Sequence, residues 1–383
     1  MKTDLLLDFE LHNQLKGELK GDFKIMTRRL IFIALLLLWG TRGFACTDFL
    51  ISTARNSWIN GRSLEFAAKL PTQVTLQPAG EQIQSIAPLN CPGLKWASRY
   101  AYLGVSCITK DNVIDGLNEM GLSVGALWLP TTVYQEIPLG CNSRALAIEL
   151  VGKWILGNFS TVAEVREGLS QIYVWEGNPL PGVSTPPLHL SIHDACGESI
   201  VVEFIDGEQN IYDNKVRVLT NYPTFDWQMT NLENYIHLRA LNSKPLSFNG
   251  QQINLKGQGS GMLGVPGDWT PASRFVRMFY FKYFAECPVT NLQGVNLAFH
   301  LLNTVDIPNG DVEERINSNQ NTDFTQWVVV KDLTNQILYV RTYDNQNIYR
   351  ISLKEAKSIQ GPCGITISIN RPLEYVDVSF SGN

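Results

Sequence analysis

The stretch that decides how this chain is interpreted is Gly40-Thr-Arg-Gly43-Phe-Ala45-Cys46-Thr-Asp-Phe-Leu50. It follows a short basic segment, Met26-Thr-Arg28-Arg29, and an apolar run from Leu30 to Trp39. Basic residues, a short apolar run and small residues three and one before a cleavage point are the pattern of a secretory signal. We therefore predict that residues 1–45 are a signal segment, with translation starting at Met26, and that the exported protein begins at Cys46.

A buried core helix is the plainer interpretation of the apolar run, which is far shorter than the ~20 residues that span a bilayer. The composition of the 383 residues, with 44% hydrophobic and 17% charged, excludes an intrinsically disordered chain. The 31 basic residues do not outnumber the 36 acidic ones, so the formal net charge is −5. This balance argues against nucleic acid as a partner. We expect a mildly acidic, exported protein, periplasmic or secreted, without a membrane span.

The seven cysteines of the chain form no CxxC pair and match no zinc-binding spacing. They are Cys46, Cys91, Cys107, Cys141, Cys196, Cys287 and Cys363. Six of them could pair in an oxidising compartment in 15 ways, and the sequence does not choose among these. Because seven is odd, at least one thiol has no partner within the chain. Cys46 is the candidate.

Cleavage after Ala45 would put a thiol and a free α-amino group on the same residue, Cys46. The unperturbed pKa of an α-amino group is about 7.7–8.0, which suits a base that works near neutral pH. A terminal cysteine therefore carries both nucleophile and base, as in N-terminal nucleophile hydrolases. Two alternatives remain: a buried or bridged Cys46 with cleavage elsewhere, or a lipoprotein whose Cys46 sulfur is lipidated. Against the second, Gly43-Phe-Ala45 lacks the branched apolar residue usual three before a lipidated cysteine.

Hydrophobic periodicity predicts a single mixed domain over residues 46–383, with antiparallel sheet covered by helices. The predicted strands are Phe49–Ser52, Val113–Leu117, Leu122–Leu127, His189–Ile192, Ile200–Phe204, Val216–Leu219, Trp327–Lys331 and Ile337–Arg341. The predicted helices are Arg144–Leu156, Thr161–Gln171, Trp227–Leu241, Arg274–Ala285 and Leu292–Asn303. Loops rich in Gly or Pro at Leu129–Asn142, Asn178–Pro187 and Phe248–Asp268 are interpreted as rims of a cleft. His189 and His193 lie four apart in a strand and could share a face, but a metal site there is improbable.

Six ordered motifs carry a resemblance to a known family. They are Cys46-Thr-Asp-Phe-Leu, Asn60-Gly-Arg-Ser-Leu-Glu-Phe66, Asp115-Gly-Leu-Asn-Glu-Met-Gly-Leu-Ser-Val-Gly-Ala-Leu-Trp128, Leu219-Thr-Asn-Tyr-Pro-Thr-Phe-Asp-Trp227, Gly261-Met-Leu-Gly-Val-Pro-Gly-Asp268 with Ser273-Arg-Phe275, and Thr322-Asp-Phe-Thr-Gln-Trp-Val-Val-Val330. In order and spacing the chain resembles the choloylglycine hydrolase family, which contains penicillin V acylases and conjugated bile salt hydrolases. The resemblance implies an α+β fold, the four-layered αββα sandwich of N-terminal nucleophile hydrolases.

The resemblance implies that Cys46 is the nucleophile, with its own α-amino group as proton acceptor. It places Arg62 at the family's first active-site arginine, where a guanidinium favours the charged thiolate. Glu65 stands where the family usually has an aspartate that accepts a hydrogen bond from the α-amino group, and this substitution adds one methylene. The plainer interpretations are a surface arginine in a Gly-Arg turn for Arg62 and an exposed charge on a strand for Glu65.

Three later residues complete the implied site. Asn221 is the predicted oxyanion donor, although an Asx turn before Pro223 would also suit it. Trp128 replaces the asparagine of bile salt hydrolases and the tyrosine frequent in penicillin V acylases, and could wall an acyl pocket or simply pack in the core. Arg274 matches the family's second arginine, unless it forms a salt bridge elsewhere. A backbone N–H is expected as the second oxyanion donor.

The function that follows is an exported amidase that cleaves linear, non-peptide C–N bonds without a metal or cofactor. The substrate is expected to be a small amide with an apolar or aromatic acyl group. A penicillin V acylase-like activity is preferred, with conjugated bile salts and N-acyl homoserine lactones as alternatives within the family. From a different class, the alternative is a non-catalytic envelope lipoprotein lipidated at Cys46. The resemblance also implies a homotetramer.

Overall fold

The computed structural model describes residues 45–177, 185–255, 257–316, 319–359, 365–369 and 371–375. The predicted signal segment, apart from Ala45, and Cys363 lie outside these residues, as do residues 178–184 of one predicted loop. Contacts divide the chain into two units. All elements described below belong to the unit that comprises Gly43–Gly177 and Pro187–Asn383.

The strands are, in chain order, β1 Cys46–Ser52, β2 Trp58–Phe66, β3 Thr72–Gln77, β4 Gln82–Ala87, β5 Cys91–Ala97, β6 Tyr102–Cys107, β7 Val113–Asn118, β8 Ser123–Trp128, β9 Ala145–Ala147, β10 Tyr173–Trp175, β11 Leu188–His193, β12 Ser199–Ile205, β13 Glu208–Asp213, β14 Val218–Leu219, β15 Leu246–Phe248, β16 Gln251–Ile253, β17 Val312–Ile316, β18 Asn319–Asp332, β19 Ile337–Thr342, β20 Asn345–Ser352 and β21 Ile365–Ile367. The α-helices are α1 Val151–Asn158, α2 Val162–Leu169, α3 Phe225–Leu232, α4 Pro271–Phe284, α5 Asn291–Asn303 and α6 Leu353–Ile359.

Two antiparallel sheets form the centre of the fold. In the first sheet the strand order is β14-β1-β2-β18-β19-β20, with β17 paired to β18. In the second it is β13-β12-β11-β8-β7-β6-β3-β21. Strands β1 and β2 pair with Cys46 opposite Leu64 and Asp48 opposite Arg62. Since side chains alternate between the faces of a strand, Cys46, Asp48 and Arg62 share one face of the first sheet.

That face packs against the second sheet through polar as well as apolar side chains. Ser191 Oγ on β11 donates to Asp48 Oδ1 at 2.8 Å, and Ser123 Oγ on β8 donates to Asn60 Oδ1 at 2.9 Å. The opposite face of the first sheet carries α4 and α5, and the far face of the second sheet carries α1. The layers therefore follow the αββα order that was predicted.

Several predicted elements differ in extent from the structure, and three of these differences have a local structural cause. Residues of the predicted helix Arg144–Leu156 instead form β9, because Ala145–Ala147 pair in parallel with β10, and the helix starts only at Val151. The helix predicted over Trp227–Leu241 ends at Leu232 and continues as a 3-10 turn over Glu233–Tyr235. The strand predicted over Val216–Leu219 begins only at Val218, because Arg217 has φ 53° and closes a turn with Asn214.

Within the described part of the chain, none of the helices has the length and apolar character needed to cross a membrane.

Gly152 provides a test of how α1 sits on the second sheet. A Cβ atom at this position would lie 2.0 Å from the backbone oxygen of Val113 on β7. We expect Gly152→Ala to lower the free energy of unfolding by about 3 kcal/mol, because the helix must move away from the strand. Gly267→Ala is the control, since a Cβ there meets no atom within 4 Å, and its effect should stay within about 0.5 kcal/mol. Urea unfolding measures both, and equal stabilities would contradict the predicted packing.

Candidate active site

Cys46 is the first residue of β1 and is 4% exposed. Its thiol is free of any disulfide, as are the other five cysteines within the described residues. The backbone N–H of Cys46 donates to Asn221 Oδ1 at 2.6 Å, and its carbonyl oxygen accepts from the Arg274 guanidinium. Both backbone groups of Cys46 are therefore held by side chains that the sequence analysis had placed in the site.

Arg62 lies fully buried between the two sheets, which rules out the surface-turn interpretation. Its guanidinium donates to Asp115 Oδ2 at 3.0 Å and to the backbone oxygens of Ile114 and Ala126 on the second sheet. The indole ring of Trp327 lies 5.4 Å from the Arg62 Cζ atom, in cation–π geometry. Burial alone would lower the pKa of Arg62, but the charges of Asp115, Cys46 and Asp48 raise it. Arg62 is therefore a fixed cation.

Glu65 points to the other face of β2 and is also buried, so it is not an exposed strand charge. Its Oε1 accepts from the Thr325 hydroxyl at 3.1 Å. Its Oε2 is buried and has no hydrogen-bond partner among the described residues. Burial raises the pKa of Glu65 to about 7, and the charge of Arg274 only partly offsets this effect. The carboxyl group therefore lacks a hydrogen-bond donor for one of its oxygens.

Arg274, on α4, reaches the start of β1 from the helix side. Its guanidinium donates to the Cys46 carbonyl oxygen, to Thr47 Oγ1 at 2.8 Å and to Asn221 Oδ1 at 2.9 Å. Its Nε donates to the backbone oxygen of Trp269 at 2.9 Å. These contacts place Arg274 beside the nucleophile position rather than in a salt bridge elsewhere.

Asn221 follows β14 and joins three parts of the site. Its Oδ1 accepts from the Cys46 N–H and from Arg274, which fixes the orientation of the side-chain amide. Its Nδ2 donates to the backbone oxygen of Trp128 at 2.9 Å. An amide nitrogen carries two hydrogens, so a second one can still be donated to an oxyanion. Trp128 itself ends β8 and is half-buried, at the point where β8 meets this amide.

Opposing effects act on the pKa of the Cys46 thiol. Burial raises its pKa, the charges of Arg62 and Arg274 lower it, and the charge of Glu65 raises it. The pKa stays above its ordinary value, so the free thiol is the resting form in this environment. Formation of the nucleophile then depends on a base that removes the proton at the moment of attack.

The structure thus brings the five other predicted site residues close to Cys46. Asn221 and Arg274 form hydrogen bonds with the backbone of Cys46, and the backbone oxygen of Trp128 accepts from Asn221. Arg62 and Glu65 lie on the two faces of β2, the strand paired with β1. The catalytic roles assigned to these residues remain predictions.

Three buried ionisable residues near this site were not singled out from the sequence: Asp48, Asp115 and Lys331. His193, considered above only as a metal ligand, pairs with one of them. Asp48 accepts from His193 at 2.6 Å, and Lys331 donates to Asp115 at 2.6 Å. Asp48 and Asp115 lie within two of the six motifs. A charged residue in a strand that is otherwise apolar was the signal that could have found them. Their partners come from distant strands, which the sequence does not reveal.

The two strand histidines pair with carboxylates. His189 Nδ1 lies 3.0 Å from Glu203 Oε1, and its Nε2 lies 2.9 Å from the Thr220 carbonyl oxygen. Among the described residues, no group of three His, Cys, Asp or Glu side chains is placed to hold a metal ion.

Known proteins resemble this chain at the level of family, sequence and structure. The model of linear amide C–N hydrolases, choloylglycine hydrolase family, matches residues 46–362. A bile salt hydrolase/transferase from Clostridium perfringens is 31% identical over 319 residues, which are 81% of this chain and 93% of that protein. A penicillin V acylase from Pectobacterium atrosepticum is 27% identical over 341 residues, 84% of each protein. The crystal structure of a variant of conjugated bile acid hydrolase from Clostridium perfringens matches with TM-score 0.77 and 28% identity, over 87% of this chain and 100% of the other.

These findings confirm the resemblance seen in the motifs and the predicted α+β sandwich of the N-terminal nucleophile hydrolase type. They also confirm that the chain is a hydrolase of linear amides.

The pKa of Glu65 leads to a prediction for a chain that retains Ala45. With a folded-state pKa of about 7 against an ordinary value of 4.5, the folded state binds more protons between these two pH values. Stability should therefore fall as the pH rises through this window, by about 3 kcal/mol in total. Glu65→Gln should remove this decrease, because it keeps the shape and cannot ionise.

Urea unfolding at pH 4, 5.5, 7 and 8.5 measures the effect. Glu167→Gln, on the exposed face of α2, is the control and should retain the decrease seen in the unmodified chain. Identical pH profiles for Glu65→Gln and the unmodified chain would show that Glu65 does not titrate in this window.

Proposed function

Because this chain belongs to the choloylglycine hydrolase family of linear amide C–N hydrolases, we propose that it is an exported amidase whose nucleophile is Cys46. Removal of residues 1–45 would generate the active form. The observation that carries the proposal is the set of hydrogen bonds that Asn221 and Arg274 make to the backbone of Cys46. Side chains from two distant segments converge on the backbone of this residue, and Arg274 also donates to the hydroxyl of the adjacent Thr47.

Two further observations support maturation at this point. The family model begins to match at Cys46, the residue after the predicted cleavage point. Glu65 has a buried oxygen without a hydrogen-bond partner among the described residues. An α-ammonium group at Cys46 would supply the missing donor and positive charge, which would lower the pKa of Glu65. The proposed role of Glu65 is therefore to orient the terminal amine.

The proposed reaction uses groups of the chain and water. The Cys46 sulfur attacks the amide carbonyl carbon while the α-amino group takes the thiol proton. The second hydrogen of Asn221 Nδ2 and a backbone N–H hold the negative charge that develops on the carbonyl oxygen. The amine leaves with a proton from the terminal ammonium, and water then hydrolyses the thioester. Arg62 and Arg274 oppose the effect of burial on the thiol throughout.

The proposed substrate class is that of penicillin V acylases, amides with a flat aromatic or an aliphatic acyl group. Trp128 favours this choice, since indole offers one donor and no acceptor, unlike the asparagine that bile salt hydrolases carry at this point. Conjugated bile salts are the first alternative, because a bile salt hydrolase/transferase is among the similar proteins. N-acyl homoserine lactones are the second. A catalytically inactive lipoprotein with a lipidated Cys46 is the alternative from another class.

A homotetramer is part of the proposal. Strands β15 and β16 form an isolated two-stranded hairpin, and the side chains of Leu246, Phe248 and Ile253 on it are mostly exposed. Exposed apolar clusters of this kind are typical of interfaces between protein chains. A contact between copies of this chain would cover them.

The position of the mature N-terminus tests the proposed maturation. Expression of the full chain in a bacterial host with a periplasm should give a periplasmic protein whose intact mass begins at unmodified Cys46. A mass increased by acyl chains would support the lipoprotein instead, and a start elsewhere would remove the nucleophile from the proposal. Native mass spectrometry of the same sample should give four copies per assembly.

The proposed nucleophile and substrate class are tested by enzyme kinetics. We expect penicillin V to be hydrolysed with a higher kcat/KM than glycine- or taurine-conjugated bile acids and N-acyl homoserine lactones. Cys46→Ala should lower kcat/KM by about four orders of magnitude, because it removes the nucleophile. Cys196→Ala, at an exposed thiol, is the control and should leave activity unchanged. Retained hydrolysis in Cys46→Ala would refute the mechanism, whereas preference for bile conjugates would only change the substrate.

A further inference from the structure

Five ionisable side chains lie buried between the two sheets, and we refer to them as the inter-sheet charge cluster. Its members are Asp48, Arg62, Asp115, His193 and Lys331, and all are essentially inaccessible to solvent. Burial of so many charges is costly unless each is paired, so their arrangement needs a reason. The proposed reaction steps use only Arg62 of this cluster.

Asp115 holds two cations at once. Its Oδ2 accepts from Arg62 at 3.0 Å, and its Oδ1 accepts from Lys331 Nζ at 2.6 Å. Lys331 is on β18 and Asp115 on β7, so this ion pair also joins the two sheets. The side chain of Lys331 is completely buried, and Asp115 is its hydrogen-bond partner. Lys331 therefore acts on Arg62 through the carboxylate that both residues share.

The charge balance of this trio differs from that of a simple ion pair. With Lys331 in place, Lys331, Asp115 and Arg62 together carry one net positive charge. Without it, Arg62 and Asp115 would neutralise each other, and Asp48, which lies close to the same guanidinium in both cases, would lose Lys331 as a compensating cation. The electrostatic effect of Arg62 on the Cys46 thiol would then be largely cancelled.

Gly125 shows how tightly this region is built. A Cβ there would lie 3.1 Å from Asp48 Oδ2 and 3.3 Å from Arg62 Cδ. Because Gly125 on β8 has no side chain, Asp48 and Arg62 of the first sheet can extend to the second sheet. Arg62 consequently has little freedom to find another position.

We propose that Lys331 is a positioning residue for the amidase reaction: by binding Asp115 it holds Arg62 beside Cys46 and leaves the guanidinium with an uncancelled positive charge. The inference rests on the proposed function in one respect, that Cys46 is the nucleophile. It adds a residue on β18, distant in sequence from every residue assigned to the reaction above.

Several other ionisable groups face Lys331, Asp115 and Arg62, or the Cys46 thiol, and contribute to the local charge balance. Glu65 and Arg274 act on Cys46 from the helix side, and Cys107 on β6 lies within the field of Arg62. Asp48 Oδ1 forms hydrogen bonds with His193 at 2.6 Å and with Ser191 at 2.8 Å, so the charge of Asp48 has its own partners. Burial would raise the pKa of Asp48, but His193 and Lys331 keep it lowered. Removal of Lys331 therefore takes a compensating positive charge away from both carboxylates, Asp48 and Asp115, and leaves less positive charge near Arg62.

The test measures the Cys46 thiol directly. The mature protein is treated with iodoacetamide at pH 6 to 10, and mass spectrometry of the Cys46 peptide gives the alkylation rate at each pH. Lys331→Met should move the midpoint of this profile upward by roughly half to one pH unit, because the net positive charge beside the thiol is lost. Lys331→Arg should restore the midpoint of the unmodified protein.

A matched control separates this effect from a general effect of losing a buried lysine. Lys153 is also buried and donates to two carboxylates, Glu81 and Asp111, on the far side of the second sheet. Lys153→Met should lower stability yet leave the midpoint of Cys46 alkylation unchanged. An unchanged midpoint in folded Lys331→Met would overturn the proposal and leave Lys331 a structural role only.

A second pair of variants keeps the test decisive if Lys331→Met does not fold. Asp115→Asn and the double variant Asp115→Asn/Lys331→Met differ only in Lys331, and neither leaves an unpaired carboxylate at position 115. Because Lys331 acts on Arg62 through the Asp115 carboxylate, the midpoints of these two variants should coincide. A higher midpoint in the double variant would show that Lys331 acts on the thiol without Asp115 and would overturn the proposal.

These measurements are independent of amide hydrolysis. If the alkylation profiles shift as expected but no substrate is turned over, the positioning role of Lys331 holds and the proposed amidase activity fails. If hydrolysis depends on Cys46 but Lys331→Met has the same alkylation profile as the unmodified protein, the proposed function holds and this inference fails.

Discussion

The antiparallel register between β1 and β2 is the constraint on which the candidate site depends. Cys46 stands opposite Leu64, which directs Arg62 into the space between the sheets and Glu65 toward the helices. A slip of one residue would exchange these two faces, since side chains alternate with period two. Cys46 would then lose its cation on the inter-sheet side. Hydrogen bonds from the second sheet and from α4 stabilise this register. Asp115 of the second sheet accepts from Arg62, and Arg274 of α4 donates to the Cys46 carbonyl oxygen.

Much of the site could be predicted because its residues lie in short motifs whose order is preserved along the chain. Cys46, Arg62 and Glu65 come from adjacent strands of one hairpin, so local spacing already determines their proximity. Asn221 and Arg274 are distant in sequence, and only the resemblance to a family placed them near Cys46. The structure adds that Asn221 links Cys46 to Trp128, which composition and periodicity cannot show.

The features that could not be predicted from the sequence depend on contacts between distant strands, including those between the two sheets. Lys331 and Asp115 are 216 residues apart, and their pairing requires two strands from different sheets to face each other. The helix predicted from Arg144 failed for a related reason, since Ala145–Ala147 have a good helical composition but find a strand partner in β10. In both cases tertiary partners decide a question that local propensity leaves open.

The electrostatics of the site favour proton transfer over a standing thiolate. Burial outweighs the two arginines at Cys46, so its thiol keeps its proton at rest, and the same burial leaves Glu65 with a raised pKa while Ala45 is attached. A newly formed terminal amine would affect both groups: the neutral amine would be a base on the same residue as the thiol, and the ammonium formed when it takes the thiol proton would be a cationic partner for the carboxyl. Removal of the preceding segment is then an electrostatic step as well as a covalent one. In this view Arg62, held by Asp115 and Lys331, does not ionise the thiol alone but lowers the cost of the thiolate that the amine creates.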